Sequence, residues 1–501
     1  MEANQLLTCS KEMSKEYCAT VVRIGEVHNI EGADKIGMTL VNGFSVVVAK
    51  ADTHEGDIMF YAANETQLNE EFLSVNNQFE MSERHRNANY EDVQALLNSV
   101  DELTSQEEID SVKAQAKSMV GFFNKHGRVK MITLRKQPSY GYLISIEAMA
   151  KFCPKIKDVD LTQMIGQDFD TVDGKPFIKV YVPPTIGFSS KGNKMGKHQR
   201  KIDRFDRLIP GEFQLHYDTA QLNREIGKIE PTDVVTISVK EHGTSGIFGN
   251  VRTRIPHKFD VGFKLGSWIV NKVYELCVPP SKRRYDIEQG NIYSSRTVIK
   301  NQYINPKVND GFYGEDVWHK HNECIKQYIP QNTILYGEIV GFTDGGQHIQ
   351  KGYDYGCKPR QSKLMPYRMV TNTEEGKKEW NVLEVQEWTM GLISEHPELQ
   401  ETLMPIEILY HGTLVDLYPT IPIDQHWHEN ILEAMKKDKR LGMEELEPLC
   451  KNRVPREGVV IRIDDDVVSE AFKLKCSAYM VKESKELDSS PTDIEMAERY
   501  S

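Results

Sequence analysis

Long apolar runs are missing from this chain of 501 residues. None approaches the roughly 18 consecutive apolar residues that a membrane-spanning helix needs. The first residues, MEANQLLTCSKEMSKEY, also lack the basic start and the apolar core of a signal peptide. Both absences predict a cytoplasmic protein, and its length is sufficient for two or three domains.

Paired cysteines are missing as well. The eight cysteines are scattered along the chain, and no two of them have C-x-x-C spacing. Zinc ribbons and disulfide frameworks both depend on such pairs. The cysteine pattern therefore indicates neither a structural zinc site nor a disulfide scaffold.

An excess of positive charge is also lacking, since 62 Lys and Arg residues face 74 Asp and Glu residues, for a formal net charge of −12. This balance argues against bulk nucleic-acid binding through a positively charged surface. One local exception is KGNKMGKHQRKIDRFDR, residues 191–207. It is either a solvated linker or a segment that contacts phosphates. In the second case, the contacting side chains would be Lys191, Lys194, Lys197, Arg200 and Lys201.

Two regions of different character predict two domains. The first 60 residues contain strand-like runs such as ATVVRIGEVHNI and FSVVVAK, with a hairpin signal at VNGF. Helical spacing follows over about 65–125, and strand patterns then return. We predict an OB-like β-barrel with a helical insertion over residues 1–186.

A connector rich in proline, glycine and serine, VPPTIGFSSKGNKMGK, marks the predicted boundary. Residues 187–501 then alternate strand and helix patterns without a regular βαβ period. This favours an α+β domain of antiparallel sheets and helices over a doubly wound sheet.

The stretch SVKEHGTSGIFGN places Lys240 at the end of an apolar, β-branched run and before a short turn that contains Gly243. A lysine there is either a solvated strand end or a nucleophile held against a pocket. Its usual pKa of about 10.4 makes it a poor nucleophile at neutral pH unless burial or nearby cations lower that value.

Three further patterns lie downstream. Glu457 stands in PREG before the strand-like run VVIRI, and Lys473 and Lys475 alternate in FKLKC. Because side chains in a strand alternate, both lysines point to the same face and either repel each other or share an anion. Glu338 interrupts the apolar run TILYGEIVG, and Arg296 in YSSRTVIK has the planar fork that suits a phosphate.

The motifs are, in chain order, Lys-x-x-Gly, Ser-Arg, Tyr-Gly-Glu, Glu-Gly-Val-Val and Lys-Leu-Lys. This order resembles that of the covalent nucleotidyltransferases, which include RNA ligases, DNA ligases and mRNA capping enzymes. The chain is most similar to ATP-dependent RNA ligases of the Deinococcus type, which place an OB domain before a nucleotidyltransferase domain of the ATP-grasp-like ligase kind. The resemblance covers most of the chain, with the insertion at 65–125 as an extra element.

The resemblance implies a role for each motif residue. Lys240 would attack the α-phosphate of ATP and carry AMP, and Gly243 would let the backbone approach the ribose. Glu338 would hold ribose hydroxyls, and Glu457 would position Mg²⁺ or Mn²⁺, directly or through water. The residues implied to bind the nucleotide are Lys240, Glu241, His242, Gly243, Arg296, Glu338, Tyr367, Lys473 and Lys475, where Tyr367 is the candidate for stacking on adenine.

The resemblance therefore implies an ATP-dependent RNA ligase that acts, as a monomer, on RNA with a 3′-OH and a 5′-phosphate, at nicks in a duplex or an RNA–DNA hybrid. The K-E-H-G form of the lysine motif, with His242 where many ligases have Asp, resembles nick-sealing RNA ligases. The alternatives are a DNA ligase or a capping guanylyltransferase, for which the chain after Lys475 is too short to supply the usual C-terminal OB domain. A nucleic-acid-binding homologue without activity is the alternative from another class.

Overall fold

The computed structural model of the protein describes residues 6–10, 15–182, 205–304, 313–464 and 470–489. The chain divides into two compact units. The described part of the first unit comprises residues up to 182 together with 480–489, and that of the second comprises 205–479. The predicted boundary at residue 186 falls outside the described residues and stays a prediction.

Within the described residues, the first unit is built from short strands and from four complete α-helices. The strands are β1 (Leu7–Thr8), β2 (Ala19–Arg23), β3 (His28–Ile30), β4 (Ala33–Val41), β5 (Phe44–Ala49), β6 (Ile58–Ala62), β7 (Thr66–Leu68), β8 (Ile132–Leu134), β9 (Gln137–Ser139), β10 (Tyr142–Ile144), β11 (Asp168–Phe169), β12 (Thr171–Val172), β13 (Lys175–Pro176) and β14 (Ile178–Val180). The helices are α1 (Glu70–Val75), α2 (Tyr90–Asn98), α3 (Gln106–Ser118) and α4 (Ile146–Phe152).

These strands form several small antiparallel sheets, of which the largest has the order β10-β6-β2-β11. The meander β3-β4-β5 turns at Asn42 and Gly43, whose φ angles of 49° and 71° suit a tight hairpin. Helices α1, α2 and α3 lie in the region of the predicted insertion. The described strands do not close into one barrel, so the OB fold stays a prediction.

The second unit contains ten strands and seven helices within the described residues. The strands are β15 (Ala220–Gln221), β16 (Val234–Lys240), β17 (Thr244–Pro256), β18 (Tyr285–Ser294), β19 (Thr333–Gly341), β20 (Ser362–Asn372), β21 (Lys377–Glu379), β22 (Ile408–Thr413), β23 (Gly458–Ile463) and β24 (Ala471–Lys475). The helices are α5 (Leu222–Glu225), α6 (Lys264–Cys277), α7 (Val317–Ile325), α8 (Val382–Glu395), α9 (Leu414–Leu417), α10 (Trp427–Lys437) and α11 (Ser477–Ser489), of which α11 continues into the first unit.

Two five-stranded sheets organise this unit. The lysine sheet has the order β15-β24-β23-β16-β22, and the glutamate sheet has the order β18-β17-β19-β20-β21. Every pair is antiparallel except β15–β24. Residues 241–243 carry the chain from β16 in one sheet to β17 in the other. The result is a mixed α/β unit with antiparallel sheets, and its core lies against the β17, β19 and β20 side chains.

The described helices include none that is both long and apolar enough to cross a bilayer.

Candidate functional site

The register of the lysine sheet brings distant motifs side by side. Lys240 on β16 pairs with Gly458 on β23, and Gly458 pairs with Lys475 on β24. Two residues further along, Lys473 occupies the same row as Ser238. Since directly paired residues and every second residue share a face, Lys240, Lys473 and Lys475 project from one face of this sheet.

Gly458 permits this close arrangement. Its φ of +149° is a conformation that residues with a side chain rarely adopt. A Cβ atom there would overlap the carbonyl oxygen of Leu474 and lie 2.8 Å from the Cα atom of Lys475. The glycine of the Glu-Gly-Val-Val motif therefore serves the packing of the two strands that carry Glu457 and Lys475.

Glu457 is the centre of the cluster. Its side chain is 4% exposed, and its Oε1 lies 2.9 Å from Lys240 Nζ and 3.7 Å from Lys475 Nζ. Burial favours the neutral carboxyl, but Lys240, His242 and Lys475 outweigh burial and hold the pKa of Glu457 far below its usual range. Glu457 is therefore ionised and fixes both amines in place.

The amine of Lys240 is charged in this arrangement. Burial lowers the pKa of Lys240, but the carboxylates of Glu457 and Glu338 outweigh burial and the neighbouring Lys475, so the pKa lies above its usual value. The charge of Lys475 lowers this pKa, as expected, but the two carboxylates near the amine outweigh it. The amine becomes a nucleophile only after it has lost a proton.

Glu338 is positioned by the turn that links the two sheets. It stands on β19 opposite Ser245 on β17, and its Oε1 accepts a hydrogen bond of 3.0 Å from the backbone N–H of Gly243. A Cβ atom on Gly243 would overlap the carbonyl oxygen of Ile339 and lie 2.9 Å from Glu338 Cγ. The structure thus shows that position 243 requires glycine because its backbone packs against β19, a contact that the sequence did not indicate.

His242 connects the turn to Glu457. Its backbone N–H donates a hydrogen bond of 2.7 Å to the Tyr355 hydroxyl. Its ring packs edge-on against Tyr353 and Tyr479, with distances between ring centroids of 4.9 and 5.1 Å. Its Nδ1 lies 3.4 Å from Glu457 Oε2 and 3.1 Å from the Tyr479 hydroxyl. The aromatic walls fix the imidazole against the carboxylate.

Glu241 lies in a different environment from its neighbours in the motif. The structure places its buried side chain with Tyr355, Glu447 and Arg456 instead of the lysine cluster. Burial, together with the charge of Glu447, raises the pKa of Glu241 to about 8. Its role in nucleotide binding stays a prediction.

Arg296 and Tyr367 belong to the side of the site that the glutamate sheet forms. Arg296 is partly exposed and lies 3.5 Å from Asp218, and its charge acts on Tyr367 and on His216. Burial raises the pKa of Tyr367, and the charge of Glu338 acts in the same direction. Tyr367 is thus near enough to Glu338 to feel its charge, and its stacking on adenine stays a prediction.

His216 is a candidate that sequence reasoning missed. Its Nδ1 atom is buried without a hydrogen-bond partner among the residues that the structure describes. Burial, with the charges of Arg296, Arg368, Lys240 and Lys473, lowers the pKa of His216 to about 3. The histidine is therefore neutral, and four cations are near enough to act on it, as would suit a ligand with negative charge. No signal around it in QLHYD distinguishes it from an ordinary histidine.

A buried ion network holds the two sheets of this unit together. Arg368 on β20 donates to Glu379 at 2.8 Å, and Arg462 on β23 lies 3.5 Å from the same carboxylate. Arg462 also donates to the carbonyl of Tyr367 at 2.8 Å. These contacts fix the backbone that carries Tyr367 relative to the lysine sheet.

The side chains present fit a divalent cation that a nucleotide brings with it. Glu457 Oε2 is buried and makes no hydrogen bond of good geometry. No group of three His, Cys, Asp or Glu side chains within the described ranges could hold a metal by itself. Mg²⁺ is commonly held by one or two carboxylates together with phosphate oxygens and water. Glu457 would be the protein ligand in such an arrangement.

The structure does not describe the predicted RNA-contacting residues. Lys191, Lys194, Lys197, Arg200 and Lys201 are outside the described residues, so their predicted contact with RNA stays a prediction.

Comparisons with known proteins give the following. No protein-family model and no curated protein matches the chain. Among solved structures, a variant of Naegleria gruberi RNA ligase with ATP and Mn has a TM-score of 0.49 at 15% identity, covering 93% of this chain and 98% of that chain. A second variant with ATP and Mn has a TM-score of 0.49 at 17% identity, covering 93% and 99%. A third, with AMP and Mn, has a TM-score of 0.48 at 16% identity, covering 93% and 98%. Likeness at this level carries no argument of its own, so the functional conclusion depends on the side chains of the site.

Proposed function

We propose that this protein is an ATP-dependent RNA ligase that joins a 3′-OH to a 5′-phosphate at nicks in a duplex. One observation carries the proposal. Lys240 and Lys475 meet at the buried carboxylate of Glu457, on the sheet face that they share with Lys473, and Glu338 is held one turn away. A nucleophilic amine, cations for phosphate oxygens and a carboxylate for a metal are what transfer of a nucleotidyl group requires.

In the first step, the deprotonated Nζ of Lys240 attacks the α-phosphorus of ATP. The N–P bond forms as the bond to the leaving pyrophosphate breaks, and the proton of the amine goes to solvent. Lys473 and Lys475 stabilise the negative charge that spreads over the phosphate oxygens. A divalent cation held at Glu457 would add positive charge at the same phosphate.

In the second step, an oxygen of the RNA 5′-phosphate attacks the same phosphorus, and the bond to Lys240 breaks as its nitrogen takes up a proton from solvent. The product is RNA with AMP joined to its 5′ end through a pyrophosphate linkage. In the third step, the RNA 3′-OH attacks the 5′-phosphate, the phosphodiester forms, AMP leaves and the hydroxyl proton is released. Each step exchanges one phosphorus bond for another, so no oxidant or reductant is needed.

The preference for RNA is supported by the resemblance of the K-E-H-G motif to nick-sealing RNA ligases. In the structure, His242 lies against Glu457 and between two tyrosines, so it belongs to the cluster itself. Segment 191–207 and the first unit would contact phosphates and 2′-hydroxyls of the duplex.

The test uses the full-length protein with α-labelled ATP or GTP and Mg²⁺ or Mn²⁺, followed by a denaturing gel. We expect label from ATP on wild type and none on Lys240→Ala. Lys436→Ala is the matched control, because Lys436 is also mostly buried and paired with a carboxylate, at 2.8 Å from Glu433. A labelled nicked duplex with a ribonucleotide or a deoxyribonucleotide at the 3′-OH then tests the strand preference.

The alternatives predict different results. A capping guanylyltransferase takes label from GTP, and a DNA ligase seals both nicks equally well. A homologue without activity takes no label from either nucleotide while remaining folded and free of prebound AMP.

A further inference from the structure

Two strands of the first unit lie end to end along one stretch of backbone. Strand β1 pairs with β12, and strand β2 pairs with β11, in both cases antiparallel. Thr8, at the end of β1, is opposite Thr171. Ala19, at the start of β2, is opposite Phe169. Because only Asp170 separates β11 from β12, the end of β1 and the start of β2 face each other.

This register brings Cys9 and Cys18 to the same place. Cys9 follows Thr8 and Cys18 precedes Ala19, so each cysteine is the next residue toward the level of Asp170. The two Sγ atoms are 3.3 Å apart. Each sulfur would have to move by roughly 0.6 Å to reach the length of a disulfide bond, which is about 2.05 Å.

Hydrogen bonds fix the backbone on both sides of the pair. The backbone N–H of Asp170 donates to the carbonyl of Thr8 at 3.0 Å. The backbone N–H of Ser10 donates to Asp170 Oδ2 at 3.0 Å, and the Ser10 hydroxyl donates to the same oxygen. The backbone N–H of Cys18 donates to the carbonyl of Lys15 at 3.3 Å. The contact between the sulfurs therefore depends on the fold of this unit.

The two thiols differ in their access to solvent. Cys9 is exposed, whereas Cys18 is 1% exposed. Burial and the neighbouring Cys9 raise the pKa of Cys18, and the charges of Asp168 and Asp170 act in the same direction. A molecule from solution therefore reaches Cys9 first, and Cys18 stays a thiol until its neighbour has reacted.

A metal is a less suitable occupant of this place. A structural zinc ion takes four protein ligands. Within the described ranges, no group of three His, Cys, Asp or Glu side chains could hold a metal. The sulfur pair is therefore suited to a bond between its own two members.

We propose that Cys9 and Cys18 form a reversible disulfide when the protein meets a low-molecular-weight disulfide such as oxidised glutathione. The cysteine spacing along the chain did not predict this bond. Reducing thiol pools of the kind found in the cytoplasm would keep the pair open, so the bond would form on oxidation. The inference does not depend on the proposed ligase activity, because both cysteines belong to the first unit and the Glu457 cluster belongs to the second.

The reaction has two exchange steps. In the first, the thiolate of Cys9 attacks one sulfur of the oxidant, a mixed disulfide forms, and the bond within the oxidant breaks to release one thiolate. In the second, Cys18 loses its proton to solvent and its sulfur attacks Cys9 Sγ, and the second thiolate leaves. Two protein thiols are oxidised, one oxidant molecule is reduced to two thiols, and the leaving thiolates take up the two protons.

The fold should favour this bond. The disulfide would close a loop of ten residues, from Cys9 to Cys18, and so restrict the unfolded chain more than the folded one. By the same thermodynamic cycle, the folded protein raises the equilibrium constant for the bond. We expect that constant to be at least roughly tenfold larger in the folded protein than in concentrated urea.

The test equilibrates the reduced, full-length protein in buffers of oxidised and reduced glutathione, with and without urea. The remaining thiols are alkylated, and the protein is digested with trypsin without reduction. Trypsin cuts after Lys11, Lys15 and Arg23, so peptides 1–11 and 16–23 each carry one of the two cysteines. Mass spectrometry should find these two peptides joined by a disulfide, and added dithiothreitol should separate them.

Single cysteine variants complete the test. Cys9→Ser, at an exposed position, should abolish the cross-link and leave lysine adenylylation unchanged. Cys277→Ser is the matched control, because Cys277 is also exposed and lies at the end of α6 in the second unit. Its cross-link between peptides 1–11 and 16–23 should equal that of wild type.

Two results would overturn the proposal. The first is a folded protein in which Cys9 takes up glutathione but stays unlinked to Cys18. The second is a cross-link that forms as readily in urea as in the folded protein, since the strand register would then contribute nothing to it.

Discussion

Glu379 offers the sharpest test of how the second unit is held together. Its carboxylate is 2% exposed and lies between Arg368 and Arg462, whose side chains are 4% and 6% exposed. Glu379→Gln keeps the size of the side chain and removes the charge. Two buried guanidinium groups would then remain near each other without their shared counter-charge.

The cost follows from that geometry. Removing one partner of a buried ion pair typically costs about 3–5 kcal/mol, because an uncompensated charge stays buried. The amide oxygen introduced by Glu379→Gln would still accept one hydrogen bond, so we expect a loss of about 3 kcal/mol in the free energy of unfolding. Replacing Arg462 by Met in the same chain should recover part of this loss, since one of the two guanidinium groups that share Glu379 is then gone.

Tryptophan fluorescence in urea measures this loss for the second unit alone. All five tryptophans (Trp268, Trp318, Trp380, Trp388 and Trp427) lie in that unit. Glu398→Gln is the matched control, because Glu398 is 70% exposed beside His396. A loss below about 1 kcal/mol for Glu379→Gln, with the control unchanged, would refute the reasoning and show that the guanidinium groups reach water.

The remaining predictions concern single side chains of the site. Burial raises the pKa of Glu241 to about 8 in the folded protein, compared with about 4.3 in the unfolded chain. The buried carboxyl therefore destabilises the fold increasingly as the pH rises from about 4.3 to 8. In urea unfolding, Glu241→Gln should be more stable than wild type at pH 8 by up to ~4 kcal/mol, and the difference should vanish near pH 4. Gly243→Ala should lose more than about 1 kcal/mol of stability and lose adenylylation, because its Cβ would overlap the Ile339 carbonyl, whereas Gly227→Ala, with open space around it, should be tolerated. His216→Ala should weaken the binding of ATP roughly tenfold, which corresponds to the loss of one hydrogen bond to a charged ligand, and His216→Gln should restore part of the affinity. Single-turnover adenylylation at increasing ATP concentrations measures this affinity. Equal affinities for wild type and His216→Ala would contradict a role in binding ATP.

The local part of the site could be predicted from the sequence. Alternation along FKLKC determines that Lys473 and Lys475 share a face, because a strand has a period of two. A β-branched run before Lys240 likewise determines that the lysine stands at the end of a strand.

The contacts between distant segments could not be predicted in the same way. The pairing of Lys240 with Gly458 and of Gly458 with Lys475 depends on strand order, which a single sequence does not encode locally. The net direction of the pKa shift of Lys240 could not be predicted for the same reason. Its sign depends on the distances to Glu457 and Glu338, and those distances exist only in the folded unit.

The solvent exposure of the apolar side chains of α6 could not be predicted from the sequence either. The residues of α6 have the spacing of an ordinary amphipathic helix, which would predict a buried apolar face. Ser267 and Asn271 form hydrogen bonds with the backbone of the same hairpin. These bonds orient the apolar face of α6 toward solvent instead. Similarly, the lowered pKa of His216 and the unpaired state of its Nδ1 atom among the described residues depend on the burial and on the cations that the fold provides.

The most direct test of the account is to find the covalent nucleotide. Full-length protein is incubated with ATP and Mg²⁺, digested, and the peptides are sequenced by mass spectrometry under conditions that preserve phosphoamide bonds. The account predicts AMP on Lys240 and on no other lysine, with pyrophosphate released in equal amount. AMP on a different lysine, or a folded protein that never carries AMP after prebound nucleotide has been removed, would contradict it.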